Sequence, residues 1–296
     1  MSYVEEEIAS QPEIWSRAAE LAATPAVAAM LPEKGSRVAI VGCGTSLYMA
    51  QAFAALRESA GQGETDAFAA SEFPSDRPYD LVVALTRSGT TTEVIRVLAS
   101  LPGGRRSTVI TTATDLPAAQ EADHCVLLDF ADEKSVVQTR FATAALALWR
   151  AFVGHDLGES IEHARLELMT ELPERLLAAR QYTFLGTGWT VGLASEAGLK
   201  LREASQSWAE AYPAMEFRHG PISVVDERSA VWIFGLPPVN LLADLAPTGA
   251  LILTSDRDPM AHLIGAQLLA VARAKRAGLD PDAPRNLTRS IVLAAG

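Results

Sequence analysis

The run Arg37-Val38-Ala39-Ile40-Val41-Gly42-Cys43-Gly44-Thr45-Ser46 decides the architecture of this chain. Its first part is short, apolar and rich in β-branched residues, the pattern of a strand buried on both faces of a parallel sheet. A glycine turn ends it. Leu47, Ala50, Phe53 and Leu56 then recur at helical spacing. Working outward, Asp80-Leu-Val-Val-Ala-Leu85 has the same form. It runs into the small-residue turn Thr86-Arg87-Ser88-Gly89-Thr90-Thr91 and a helix marked by Val94, Val97 and Leu98. Two further strands are expected at 107–111 and 125–129, with a helical pattern between them and a long helix over 139–153. Strands alternating with helices predict an α/β fold with a parallel sheet.

The second half repeats the first. Tyr182-Thr-Phe-Leu-Gly186-Thr187-Gly188 restates residues 38–44 at an offset of 144, and Leu251-Ile-Leu-Thr254 restates Val109-Ile-Thr-Thr at nearly the same offset. Val231-Trp-Ile-Phe234 stands where the strand ending at Leu85 stood, but it leads into Gly235-Leu-Pro-Pro rather than a hydroxyl-rich turn. The predicted organisation is an N-terminal helical segment (1–33), a first unit (34–155), a linker helix (156–180), and a second unit with a C-terminal tail (181–296).

Composition narrows the function. The chain has 296 residues, of which 49% are hydrophobic and 21% charged, so it can bury a large core. Its formal charge of −11 argues against a broad nucleic-acid-binding face. The only cysteines, Cys43 and Cys125, provide neither a disulfide framework nor a cysteine-rich metal site. The acidic run Glu5-Glu6-Glu7 is the opposite of a secretory n-region, and no apolar stretch reaches membrane-spanning length. A reduced cytoplasmic protein without membrane partners is expected. A nicotinamide fingerprint would need a small residue at position 47, where Leu47 stands, so no dinucleotide is expected, nor any other cofactor or metal.

The turn over 86–91 carries four hydroxyls and one glycine between a buried strand and a helix start. Free backbone N–H groups and small hydroxyl side chains in that setting form a phosphate cradle. Ordinary helix capping would account for one hydroxyl. It does not account for four, with Thr45-Ser46 forming a second such turn. Farther along, Glu196, Lys200 and Glu203 share one helix face at i, i+4 and i+7. Such spacing is commonly a solvated ion-pair ladder. On a helix leaving the second glycine turn it is also the equipment of general acid–base catalysis. His219, in the turn Arg218-His219-Gly220-Pro221, is a further candidate.

These motifs resemble the sugar isomerase (SIS) family, as in the isomerase half of glucosamine-6-phosphate synthase. The likeness rests on Gly42-Cys43-Gly44-Thr45-Ser46, Ala70-Ser71-Glu72-Phe73 and Ser88-Gly89-Thr90-Thr91. It continues through Glu196-Ala-Gly-Leu-Lys200-Leu-Arg-Glu203, Ala209-Glu-Ala-Tyr212, Arg218-His219-Gly-Pro-Ile222 and Pro284-Arg285-Asn286-Leu287. It implies two tandem, doubly wound, flavodoxin-like SIS domains preceded by a helical segment. It further implies that Thr45, Ser46, Thr86, Ser88 and Thr91 hold a sugar 6-phosphate, with Arg87 adding a charge-assisted contact. Val136 and Val137 would line the sugar. Glu203 would be the base between C1 and C2, and Lys200 would contact sugar hydroxyls beside it, with Glu196 on the same helix face. His219, supplied by the neighbouring subunit of a homodimer with sites at the subunit interface, would assist ring opening. The sequence departs from the synthase at Arg289, where the family's Schiff-base lysine stands. Arginine stays charged and forms no imine, so Arg289 is expected to contact the substrate or the chain's own end. The likeness covers the isomerase half alone, so ammonia from glutamine is not expected.

The resemblance therefore implies C2 proton abstraction from an open-chain hexose or hexosamine 6-phosphate. A C2 hydroxyl leads to aldose–ketose isomerisation, and a free amine to deamination. An acylated amine leads to loss of the 3-hydroxyl, a dehydration. A non-catalytic sugar-phosphate-binding regulator is the alternative from a different class.

Overall fold

Every strand pairing in the computed structural model, which describes residues 2–293, is parallel. The first sheet contains β1 (Val38–Gly42), β2 (Thr65–Ala69), β3 (Leu81–Leu85), β4 (Arg106–Thr111) and β5 (His124–Leu127), in the order β2-β1-β3-β4-β5. The second contains β6 (Gln181–Gly186), β7 (Ala209–Pro213), β8 (Ser229–Ile233) and β9 (Leu251–Leu253), in the order β7-β6-β8-β9. The first order is the flavodoxin-like one. In both sheets the winding reverses between the first and third strands, so the switch points lie at the carboxyl ends of β1 with β3 and of β6 with β8. β1 and β3 are buried along their whole length, which their apolar sequences permit on both faces.

The repeated Gly-x-Gly turns have one physical reason. A Cβ at Gly42 would lie 2.7 Å from the Ser46 backbone carbon, and one at Gly186 would lie 2.2 Å from the Thr190 carbonyl oxygen. Each helix thus starts hard against its strand, with no room for a side chain. The second glycines, Gly44 at φ +54 and Gly188 at φ +58, take the left-handed conformation that turns the chain into the helices Thr45–Ser59 and Thr190–Ser205.

Two compact units emerge. The first-sheet unit gathers Glu13–Glu133, Arg140–Leu157 and the C-terminal stretch from Thr288. The second-sheet unit gathers the N-terminal stretch through Pro12, Lys134–Thr139 and Gly158–Leu287. Residues 1–33 therefore do not act as one segment, and the tail belongs with the first sheet rather than the second. The division at Pro12 follows from hydrogen bonding. The Tyr3 and Val4 N–H groups both donate to the Asp282 carboxylate at 2.8 Å, and the Lys134 N–H donates to Glu7 Oε1 at 2.6 Å. The expected linker helix is two pieces, Gly158–Leu168 and Glu174–Leu177. Aromatic packing anchors each core. Phe53 stacks on Trp149 at 4.4 Å in the first unit, while Phe184, Trp232 and Phe234 cluster in the second.

Candidate active site

The two hydroxyl-bearing turns of the first unit leave adjacent strands, since β1 and β3 pair directly. Thr45 and Ser46 are buried in the first turn of their helix. In the second turn Thr86 is buried, and its Oγ1 accepts from the Gly89 N–H at 3.2 Å. The Ser88 hydroxyl accepts from the Thr90 N–H at 3.3 Å and lies 3.3 Å from Thr91 Oγ1. Thr91 is the N-cap of the helix Thr92–Ala99, yet its side chain makes no capping bond. Gly89 is required twice over. It has φ +60, and a Cβ there would meet Leu116 at 2.5 Å. Ser88 and Thr91 are half-buried and, among the described residues, their hydroxyls bond only to each other and to their own turn, the state of groups that can turn to an anion.

Arg87 differs from expectation. Its side chain is buried, pairs with the buried Glu133 carboxylate at 3.5 Å, and donates to the Arg289 carbonyl at 3.4 Å. The C-terminal tail lies against the same turn, which no local sequence signal announces. Thr90 Oγ1 meets Ser290 Oγ at 2.8 Å, the Thr92 N–H donates to the Ile291 carbonyl at 3.1 Å, and the Leu293 N–H donates to Thr92 Oγ1 at 2.9 Å. The Arg289 guanidinium bonds the Glu133 carbonyl and the Asp132 carboxylate.

In the second unit the ion-pair face is no solvated ladder. Lys200 and Glu196 are each 1% exposed, and the Lys200 ammonium lies 3.5 Å from Glu196 Oε1 and 2.5 Å from Glu203 Oε2. The Glu203 side chain keeps 19% exposure, so one carboxylate of the cluster reaches the surface. The reason first given for its position does not hold. Glu203 comes 13 residues after Thr190, about 20 Å along the helix, so the carboxyl end of β6 does not place it. Helical register does. His219 ends the short 3-10 helix Glu216–His219 after β7; it is exposed, and its ring makes no hydrogen bond among the described residues.

The loop carrying Val136 and Val137 is fixed from the N-terminus. Glu7 accepts from the Lys134 and Ser135 N–H groups and from the Ser135 hydroxyl, and the Val136 N–H donates to the Asp282 carbonyl at 3.0 Å. Val137 is buried and Val136 half-buried. No local pattern in the sequence singles out Glu7 for this role.

With the geometry in place, the comparisons are direct. Residues 30–153 match the model of the SIS domain. The chain carries an SIS domain. The chain is 30% identical over 316 residues to a glutamine–fructose-6-phosphate aminotransferase (isomerizing) of Caulobacter vibrioides, an alignment covering 87% of the chain and 52% of the relative. The chain thus spans about half the length of the curated relatives it matches. Among solved structures, the glucosamine-6-phosphate deaminase of Thermotoga maritima superposes with a TM-score of 0.82 at 23% identity, covering 99% of this chain and 100% of that one. The tagatose-6-phosphate ketose/aldose isomerase of Escherichia coli gives a TM-score of 0.80 at 20% identity, covering 99% of this chain and 97% of that one. At such identities these two likenesses concern the fold. Among the described residues, no cluster of three or more potential metal ligands occurs, and no helix is long and apolar enough to cross a membrane. Burial pushes the Cys43 and Cys125 thiols up, away from nucleophilic character.

Proposed function

We propose that this chain is a phosphosugar enzyme that takes the C2 proton from an open-chain hexosamine 6-phosphate, with Glu203 as the base. The observation that carries the reading is the buried Lys200 ammonium, held between Glu196 and Glu203 while Glu203 alone keeps an exposed edge. A surface ion pair contributes little to stability, and a buried one carries a desolvation penalty that function can explain. Lys200 holds the Glu203 carboxylate by a 2.5 Å contact and offers N–H groups to sugar oxygens. In this reading Thr45, Ser46, Thr86, Ser88 and Thr91 hold the 6-phosphate, while Arg87 braces the turn through Glu133. Val136 and Val137 line the sugar, and Arg289 contributes a contact through the tail. The products follow from the C2 substituent: a ketose 6-phosphate from a hydroxyl, a ketose and ammonia from a free amine, and loss of the 3-hydroxyl from an acylated amine. The named activities of the superposable proteins, deamination and ketose/aldose isomerisation, support the first two branches.

Ser88→Ala and Thr91→Val are each expected to weaken substrate binding by about 1–3 kcal/mol, the worth of one hydrogen bond to a charged group. Isothermal titration with glucosamine 6-phosphate measures the loss, and circular dichroism should show an unchanged fold. Equal turnover of glucosamine and its 6-phosphate would remove the cradle assignment.

The exposed His219, whose ring makes no hydrogen bond among the described residues, fits a role in a neighbouring subunit's site, and hence a homodimer. Mixing inactive Glu203→Gln and His219→Ala chains is then expected to restore activity in heterodimers, because one of the two sites regains both native groups. Confirmed heterodimers with no recovery would place both groups on one chain.

A further inference from the structure

The second sheet is one strand shorter than the first. β5 lies beside β4, whereas no described residues form a strand beyond β9 in its sheet. A groove of about 690 Å³ opens there, and Leu251, Ile252 and Leu253 all line it. Successive side chains of a strand point to opposite faces, so a groove touching all three runs along the strand's edge. The helix Gly158–Leu168 and the segment after it form the facing wall through Leu166, Glu167, Thr170 and Leu172. The volume falls within the roughly 300–1,000 Å³ of small-molecule sites.

Two buried polar groups line this groove. His262 is 5% exposed and packs on Trp232 with ring centroids 4.7 Å apart. The Trp232 indole N–H donates to His262 Nδ1 at 3.2 Å, so Nδ1 is an acceptor and the neutral ring carries its proton on Nε2. Burial, aided by the Arg257 charge, pushes the ring down to about 3, which keeps it neutral. Among the described residues nothing accepts from Nε2. Glu167 is also 5% exposed, and Arg257 Nη1 donates to its Oε2. Its Oε1 has no donor among the described residues. Gly265 leaves the space for it, since a Cβ there would lie 2.4 Å from Oε1. The groove therefore offers one N–H and one carboxylate oxygen that no described residue engages and that a ligand in the groove can reach. The Arg257 charge is answered by Glu167, so the site does not call for a charged ligand.

We propose that this groove binds a small uncharged molecule carrying adjoining C=O and N–H groups, a lactam or carboxamide. The carbonyl accepts from His262 Nε2–H, the N–H donates to Glu167 Oε1, and the apolar body lies along Leu166, Leu172, Leu251 and Leu253. None of these residues belongs to the proposed catalytic set, so the site is separate from the reaction.

The probe is 2-pyridone, followed through the long-range proton–nitrogen correlations of the His262 ring and the Trp232 indole signal. Saturable shifts are expected at millimolar concentration. N-Methyl-2-pyridone, which keeps the ring and carbonyl but lacks the donor, is expected to bind at least about tenfold more weakly. Folded His262→Phe, followed by the Trp232 signal, is expected to lose binding. No saturable shift, equal shifts from the N-methyl compound, or undiminished binding by folded His262→Phe would each overturn the proposal. The comparison of the two pyridones uses the native chain and does not depend on how the variant folds.

Discussion

Glu203→Gln is expected to slow the entry of solvent deuterium at C2 of a hexosamine 6-phosphate by about 10²–10⁴-fold, the usual cost of losing a general base. The amide has the shape of the carboxylate, and its carbonyl oxygen can still accept from Lys200, 2.5 Å from Glu203 Oε2 in the native chain. The buried cluster therefore keeps its geometry while the proton acceptor is lost. Because the missing interaction belongs to the transition state, kcat should fall with substrate affinity little changed. A KM rise with unchanged kcat would instead make Glu203 a binding residue.

Lys200→Met is expected to act on stability and chemistry together. The ammonium is enclosed by two carboxylates, and its removal leaves Glu196 and Glu203 on one helix face without the cation between them. Breaking a buried ion cluster from one side costs about 3–5 kcal/mol, which urea unfolding would read as a lowered midpoint. Turnover should fall and KM should rise, since in the proposed reaction Lys200 both positions the base and binds sugar oxygens. Adding Glu196→Gln removes the like charge and should return part of the stability without restoring turnover. If the double variant regains native turnover, the lysine's role is structural only.

Particular residues show what a sequence can reveal. β1, β3, β4, β6 and β8 were legible because burial on both faces demands uninterrupted apolar or β-branched runs. β2, with sequence Thr-Asp-Ala-Phe-Ala, and β7, with Ala-Glu-Ala-Tyr-Pro, escaped notice. Both are edge strands, and their half-exposed positions admit charge and small residues. The glycine turns were legible because close backbone approach requires glycine at fixed offsets. The burial of Lys200, the engagement of Arg87 by Glu133 and the tail across Thr90 and Thr92 were not. Each depends on residues far apart in sequence, such as Arg87 with Glu133 or Thr92 with Ile291, and no local pattern encodes them. The clamp of Glu7 on Lys134 and Ser135 spans more than a third of the chain in the same way.

The most direct test of the central claim is proton NMR of glucosamine 6-phosphate incubated with the native protein in deuterated water. The account predicts loss of the C2 proton signal at a rate that Glu203→Gln lowers by about 10²–10⁴-fold, accompanied by a ketose product. Saturable binding of the sugar phosphate with the C2 proton fully retained would contradict it, and would make the chain a sugar-phosphate-binding regulator rather than an enzyme.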